Sequence, residues 1–324
     1  MKKHTKTLLI LTSVLLFNKA YSTSIPNTDH PTTFLGPTVR GGFNGLLTDT
    51  SGYSFSAEGG GKDLRVGGSV GWSILERQRL KLSAEYLWQE IEYAFFSNNE
   101  HSWEDQGALG AAYEYDLAPM SRLNPALGLS GYYSASGSKS TGIQTGTFVN
   151  SSGTIESFTD NQHIASSRAR GLSPGITVQP WKGTKAGLDV NYDNVQYQME
   201  NTSAMSVTGL GATAHVDQAV TEHVGLGLSA SVRQPYNHYE ANLGWKTDPH
   251  DGAWLFKLVG AYTIGKQGLP DTYNIGLSAD YFLDMEHGSD KADQEKEAFL
   301  AWMAQPAVYM PEVLSVRDES VTTS

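Results

Sequence analysis

Residues 64–74 read LRVGGSVGWSI, and this stretch decides how the chain folds. Apolar side chains stand at Leu64, Val66, Val70, Trp72 and Ile74, whereas arginine, glycine and serine fill most of the positions between them. Successive side chains of an extended strand point to opposite faces of a sheet. The stretch therefore predicts a β-strand with one apolar face and one small or polar face.

The same two-residue alternation recurs along much of the chain. It is clear in residues 80–89, 109–116, 186–193, 224–233 and 274–281. These runs exceed the roughly five or six residues of a typical globular strand. Alternating segments of about ten residues, separated by turn residues, are typical of transmembrane β-barrels.

A soluble β-sandwich is the main alternative, with short strands whose apolar faces pack inward against a second sheet. Here the face opposite the apolar one consists of glycine, serine, asparagine and charged residues, which would make a poor soluble core. An apolar face turned toward lipid accounts for both faces. We therefore predict an all-β fold, an antiparallel transmembrane β-barrel.

Segmentation by alternation and turn residues predicts twelve strands, at residues 38–47, 62–75, 79–96, 104–117, 122–134, 165–180, 184–199, 205–217, 222–233, 238–247, 253–265 and 272–283. Short connections such as 76–78 and 181–183 contrast with longer ones at 48–61, 97–103 and 135–164. Short turns of such barrels face the periplasm and long loops face outward. Both barrel termini are therefore expected on the periplasmic side, with an even number of strands. A further alternating run at 53–57 leaves ten or fourteen strands open.

The N-terminus has the features of a secretory signal peptide. Lys2, Lys3 and Lys6 precede an apolar run at 7–17, and a small-x-small cleavage site ends at Ser22. We predict the following organisation: a signal peptide at 1–22, a periplasmic lead-in at 23–37, the barrel at 38–284 and an acidic periplasmic tail at 285–324.

The tail contains one predicted amphipathic helix. Acidic residues crowd its start, Pro306 follows its end, and Phe299, Trp302 and Met303 stand at the i, i+3 and i+4 positions of one helical face. This stripe is too small to be the core of a domain. We expect these three residues to dock against the periplasmic mouth of the barrel, as a partial plug in it, or on a periplasmic partner.

Composition excludes several other classes of protein. The chain has no cysteine, which rules out disulfides and thiolate zinc sites, and its net charge of -11 argues against a nucleic-acid partner. Its mean hydropathy of -0.34 is too polar for a bundle of membrane helices, each needing about 20 apolar residues. We predict no cofactor and no bound metal ion.

Aromatic residues are expected to form girdles at the two membrane interfaces. Trp181, Tyr115, Tyr281 and Phe282 fall near predicted periplasmic strand ends. Near the outer ends lie Phe95, Phe96, Trp103, Tyr236 and Tyr239.

The last predicted strand, NIGLSADYF at 274–282, resembles the assembly signal of Gram-negative outer-membrane β-barrel proteins. The polar Asn274, then Gly276, and Ala279 and Tyr281 at alternate positions carry the resemblance. It implies a location in the cell outer membrane, contact with outer-membrane lipid and lipopolysaccharide, and recognition by the barrel-assembly machinery. The chain departs from the family pattern because it continues to residue 324.

Residues at alternate positions of a strand share one face, and we call this shared position parity. Parity along the predicted strands assigns a set of charged and titratable residues to the lumen: Arg40, Arg65, Lys81, Glu85, Glu114, Asp116, Asp189, Asp193, His215, Asp217, Arg233, Lys257 and Asp280. Mixed signs in a confined space favour paired networks, because an unpaired buried charge is costly. The same residues fit either a structural network that fills the barrel or the lining of a narrow polar channel.

A small porin or channel for passive passage of small solutes is the expected function. The first alternative is a closed structural, adhesion or receptor barrel that acts through outer loops such as 135–164. The second is an enzyme that modifies lipid or peptide. His215 and Asp217 could pair as base and orienter, but they lie near the predicted periplasmic end, so we assign no catalytic residue and expect no enzyme activity.

Overall fold

A computed structural model of the chain describes residues 33–60, 63–75, 77–95, 98–117, 123–137, 139–149, 151–164, 166–198, 205–247, 253–266, 271–283, 299–300, 302–303 and 315–323. The predicted signal peptide at 1–22 lies outside these ranges.

Extended backbone dominates the described chain. The strands are β1 (Thr33–Thr48), β2 (Ser51–Gly59), β3 (Asp63–Leu75), β4 (Gln78–Phe95), β5 (Asn98–Asp116), β6 (Ala126–Ser136), β7 (Lys139–Val149), β8 (Ile155–Ile164), β9 (Ser166–Trp181), β10 (Thr184–Gln198), β11 (Met205–Ala219), β12 (Val224–Val232), β13 (Tyr236–Lys246), β14 (Ala253–Gly265), β15 (Thr272–Phe282) and β16 (Ser315–Thr323). No helix in these ranges is long and apolar enough to cross a membrane.

Thirteen of the strands close into one barrel, in the order β1, β15, β14, β13, β12, β11, β10, β9, β6, β5, β4, β3, β2. Neighbours pair antiparallel except at the closure, where β1 and β15 run parallel, with Val39 opposite Leu277 and Phe43 opposite Tyr281. The closed β-barrel predicted from alternation is thus present, and its strands are mostly antiparallel.

The predicted count of twelve strands is wrong, and so is the expectation of an even number. The additional strand is β2, which lies within the predicted loop 48–61 and pairs with both β1 and β3. Its apolar face carries only Tyr53, Phe55 and Ala57, so the alternation there is weak. Because the number of strands is odd, β1 begins and β15 ends at opposite ends of the barrel. The prediction that both barrel termini share one side is therefore also wrong.

We use two names for the ends of the barrel. The tail end is the end where β15 finishes at Phe282. The hairpin end is the opposite end, from which β7 and β8 continue.

Two other predicted loops at the hairpin end are strands. Residues 98–103 belong to β5, paired with β4 as far as Phe95, and residues 139–164 contain β7 and β8. Strand β1 begins at Thr33, inside the predicted lead-in 23–37.

The predicted tail, 285–324, also differs from expectation. Residues 315–323 form β16, which pairs antiparallel with β8 and completes a three-stranded sheet with β7. Ser315 lies opposite Ile164, two residues before β9 begins at the hairpin end of the barrel. Helical backbone occurs at residues 299, 300, 302 and 303.

The barrel has an apolar exterior and a polar interior, the reverse of a soluble protein. On β10, Leu188, Val190 and Tyr192 are about half exposed, whereas Asn191 and Asp193 on the other face are buried. Exposed leucine, valine, isoleucine and aromatic side chains recur in this way around the wall. Soluble monomers rarely expose contiguous apolar surface on this scale.

Aromatic rings cluster on the exterior at the tail end. The Trp254 ring lies 4.9 Å from Tyr281 and 5.8 Å from Phe256, which in turn stacks 5.8 Å from Trp245. The prediction for Phe282 is wrong. It shares the parity of Asp280 and is buried on the inner face. Phe96, and the side chain of Phe95, lie outside the described residues.

Candidate functional site: the barrel lumen

Thirteen charged and titratable residues were assigned to the lumen from the sequence. Alternation along the strands places them on the inner face of the barrel. Buried Lys81, Asp193 and Asp280 mark this face on three different strands. The structure brings some of these residues into pairs and networks and leaves others spread along the wall.

Asp193 is the centre of the most buried polar network. Its side chain is fully buried, and its Oδ1 accepts hydrogen bonds from the Tyr132 hydroxyl at 2.6 Å and from the Arg233 guanidinium at 2.8 Å. The same guanidinium donates to Asn191 Oδ1 at 3.1 Å. A buried carboxylate requires such a cation and donors.

The network continues across the neighbouring strand through uncharged groups. Asn191 donates to the Thr213 hydroxyl at 2.8 Å, and that hydroxyl lies 2.7 Å from the Ser231 hydroxyl, which also accepts from Arg233 at 3.2 Å. The Nζ of Lys266 donates to the backbone carbonyl of Arg233 at 2.6 Å. Lys266 follows the end of β14, and burial lowers its pKa. Four barrel strands, β6, β10, β11 and β12, are linked in this way.

Two further ion-pair groups lie on the same inner face. Arg79 bridges Glu114 at 3.0 Å and Asp116 at 3.6 Å, and Arg40 lies 4.0 Å from Asp280 across the parallel closure. Arg79 was missed from the sequence although it shares the parity of Lys81, so that signal was available. Tyr132 was missed because an aromatic residue on a barrel strand is expected to face lipid.

Two histidines of the barrel wall have polar neighbours on adjacent strands. His215, which the sequence suggested could pair with Asp217, lies with its Nδ1 4.0 Å from Oδ2 of Asp189. His238 lies in β13, and its Nδ1 is 2.9 Å from the Thr263 hydroxyl. Within the described ranges no three metal-ligating side chains form a group that could hold a metal ion.

One catalytic sequence pattern is present without the geometry that it needs. Residues 171–175 read GLSPG, which matches the Gly-x-Ser-x-Gly pattern of a nucleophile elbow. Ser173 lies within the extended strand β9, opposite Ser130 of β6, and not at a turn from a strand into a helix.

Most of the charged lumen residues share one further feature: each lies directly opposite an inward glycine on the neighbouring strand. The nine pairs are Asp280 and Gly42, Glu85 and Gly67, Lys81 and Gly71, Glu114 and Gly128, Asp193 and Gly171, Asp189 and Gly175, His215 and Gly187, Asp217 and Gly227, and Lys257 and Gly244. The remaining four residues, Arg40, Arg65, Asp116 and Arg233, lack this arrangement.

In six of these pairs the charged or imidazole side chain lies over the glycine, along the wall of the barrel. A Cβ atom at Gly227 would lie 2.8 Å from Oδ1 of Asp217, and one at Gly67 would lie 2.9 Å from Cγ of Glu85. Asp280, Asp189, Asp193 and His215 crowd their glycines in the same way. The glycines therefore provide the space that lets these side chains lie flat instead of reaching across the lumen.

The tail residues 299, 300, 302 and 303 lie inside the barrel near the tail end. Phe299, Trp302 and Met303 form a buried apolar cluster against Leu46 of β1 and Ala112 of β5. The three residues expected to dock are thus brought together on the inner wall.

The fold defines a class: a closed β-barrel with an apolar exterior and a lumen lined by polar and charged groups. No protein-family model matches the chain, and no curated protein sequence matches it.

Solved structures of outer-membrane barrels are similar in architecture. The CymD monoaromatic hydrocarbon channel has 9% sequence identity and a TM-score of 0.37, over 66% of this chain and 75% of that one. The open form of the ferric-catecholate import receptor Fiu from E. coli K12 has 11% identity and a TM-score of 0.26, over 68% of this chain and 56% of the receptor. The siderophore receptor PirA from Acinetobacter baumannii has 8% identity and a TM-score of 0.24, over 74% of this chain and 54% of the receptor.

Proposed function

We propose that the protein is an outer-membrane channel that lets small polar solutes pass through its lumen. The observation that carries this proposal is the placement of charged side chains over inward glycines. A barrel stabilised only by a filled interior needs bulky side chains that meet across the lumen, whereas a conduit needs polar groups held against its wall.

The strand number agrees with a narrow conduit. Barrels of about eight strands have interiors that side chains just fill, and barrels of about 16 to 18 strands leave an aqueous channel. Thirteen strands lie between these limits. Location in the outer membrane is supported by the apolar exterior and by the resemblance of 274–282 to an assembly signal. Recognition by the assembly machinery is part of the same proposal, and so is the absence of a catalytic role.

A closed surface barrel is the second candidate. The observation that favours it is the three-stranded sheet of β7, β8 and β16, in which β7 and β8 lie between barrel strands β6 and β9 in the chain and β16 pairs with β8. Such a sheet offers a folded surface at the hairpin end, which a simple channel does not need.

Conductance in planar bilayers separates the two candidates. The full chain is refolded in detergent, shown to shift on a denaturing gel between unheated and boiled samples, and inserted from one side. Discrete openings that scale with salt concentration are expected for a channel. The result that would exclude the channel is a folded, inserted protein that shows no openings, both as the full chain and as the Gly71→Leu variant described below. The closed surface barrel would then be the remaining candidate.

A further inference from the structure

The inner wall near the tail end contains a recess that fits part of the tail. We call Phe299, Leu300, Trp302 and Met303 the tail turn. All four side chains are buried, with Leu300 and Met303 almost fully so. One helical turn is unstable in isolation, because nucleation of a helix is costly, so contacts with the wall must hold its conformation.

Hydrogen bonds from the wall hold the C-terminal side of the tail turn. Lys81 Nζ donates to the Trp302 carbonyl at 2.8 Å, and the Ser69 hydroxyl donates to the Met303 carbonyl at 3.1 Å. Lys81 therefore supplies both a hydrogen-bond donor and a positive charge at the Trp302 carbonyl.

Lys81 also contacts the side chain of the same residue. Its ammonium lies 4.7 Å from the centroid of the Trp302 ring, within the range of a cation–π interaction. The Lys81 side chain is itself buried. Removal of the tail turn would leave this ammonium facing the lumen.

Two glycines of the wall shape the recess. A Cβ atom at Gly52 would lie 3.0 Å from Cε1 of Phe299, and a Cβ atom at Gly71 would collide with the Met303 sulfur. Gly71 stands opposite Lys81 in the β3–β4 pair. The recess is thus complementary to the tail turn in shape and in hydrogen bonding.

We propose that the tail turn is a resident plug, which closes the lumen at the tail end and has to leave its recess before solute passes. The inference rests on the proposed channel function. The plug covers the wall formed by β1 to β5, whereas the Asp193 network lies on the opposite wall, on β6 and β10 to β12.

A wall substitution tests the plug without altering the tail. Gly71→Leu fills the space that Met303 occupies, so the tail turn cannot seat. Gly128→Leu is the matched control, because Gly128 also faces the lumen near the tail end and a Cβ atom there meets nothing within 4 Å. We expect Gly71→Leu to raise the open probability several-fold in planar bilayers and Gly128→Leu to leave it unchanged. Equal effects of the two variants would overturn the proposal.

A reversible crosslink provides the converse test, since the natural chain has no cysteine. Ser69→Cys combined with Met303→Cys should form a disulfide that keeps the plug seated. Oxidised channels are expected to be closed, and dithiothreitol should reopen them. Conductance that is the same in both redox states, with the disulfide verified by mass spectrometry, would show that the tail turn does not gate the lumen.

Thiol labelling distinguishes failure of the plug from failure of the channel. In the single variant Ser69→Cys, the tail turn should shield the introduced thiol from a water-soluble maleimide, and Gly71→Leu should remove this protection. If protection follows this pattern but no variant conducts, the recess is occupied as described and the channel function is wrong. If Gly71→Leu does not alter the labelling rate, the plug proposal fails whatever the conductance.

Discussion

The guanidinium of Arg233, the residue after β12, reaches Oδ1 of Asp193 in β10 at 2.8 Å, although β11 separates these two strands. Gly211 of β11 lies between them on the inner face, and a Cβ atom there would lie 3.2 Å from Cγ of Arg233. The ion pair therefore links β10 and the end of β12 across Gly211 of the intervening strand β11.

Arg233→Met should destabilise the barrel, because it leaves the fully buried Asp193 carboxylate without its cation. Loss of one partner of a buried pair costs about 3–5 kcal/mol. The free energy of unfolding is measured by urea titration in detergent micelles. The double variant Arg233→Met with Asp193→Asn should recover a large part of the loss. Additive losses in the double variant would contradict a direct interaction.

The glycines over which charged side chains lie should control the free width of the lumen. Gly175→Val adds a side chain where Asp189 now lies, so it should push the carboxylate away from the wall and reduce single-channel conductance. Gly128→Val is the control because the wall is open there. If both substitutions reduce conductance equally, the position of the charged side chain is not the cause.

Acidic side chains that lie along the wall should make the channel prefer cations. Charges that line a confined pore concentrate ions of the opposite sign. Asp189→Asn together with Asp217→Asn should lower the preference for potassium over chloride, measured as the reversal potential in a salt gradient. Lys257→Met removes a positive charge from the same face and should shift the reversal potential in the opposite direction. A shift of the same sign in both variants would contradict an electrostatic origin.

The two faces of β12 should respond differently to charge. Leu228 is half exposed at the middle of the strand, and Ser229 faces the lumen opposite His215. An arginine on the lipid face near the bilayer midplane costs about 2–4 kcal/mol. Leu228→Arg should therefore reduce the stability of the barrel in lipid vesicles far more than Ser229→Arg. Equal losses would argue against a lipid-facing exterior.

Strand parity could be determined from the sequence because each face repeats one type of residue along a whole strand. It placed Asp193, Lys81 and Asp280 on the inner face without knowledge of their partners. The pairing of Arg233 with Asp193 could not be predicted, because it depends on which strands are neighbours and on their register. The contact between Lys81 and Trp302 joins residues 221 positions apart, and no local pattern encodes it.

The strand count failed for a local and a global reason. Strand β2 has a short apolar face and a two-residue connection to β1, so its segment is easily interpreted as part of a loop. The parallel closure has no local signal at all. An even count follows only if β1 and β15 are assumed to pair antiparallel, and the structure contradicts that assumption.

The parallel closure can be tested with two cysteine pairs in the naturally cysteine-free chain. Val39 lies opposite Leu277, and Phe43 lies opposite Tyr281, so both pairs advance together along the two strands. The double variants Val39→Cys with Leu277→Cys and Phe43→Cys with Tyr281→Cys should each form an intramolecular disulfide under mild oxidation in membranes, seen as a shift on a non-reducing gel. Val39→Cys with Tyr281→Cys is the mismatched control and should not crosslink. In an antiparallel closure, partners advance in opposite directions along the two strands, so at most one of the two matched pairs could crosslink. Crosslinking of only one pair would therefore contradict the parallel closure and support an even number of strands.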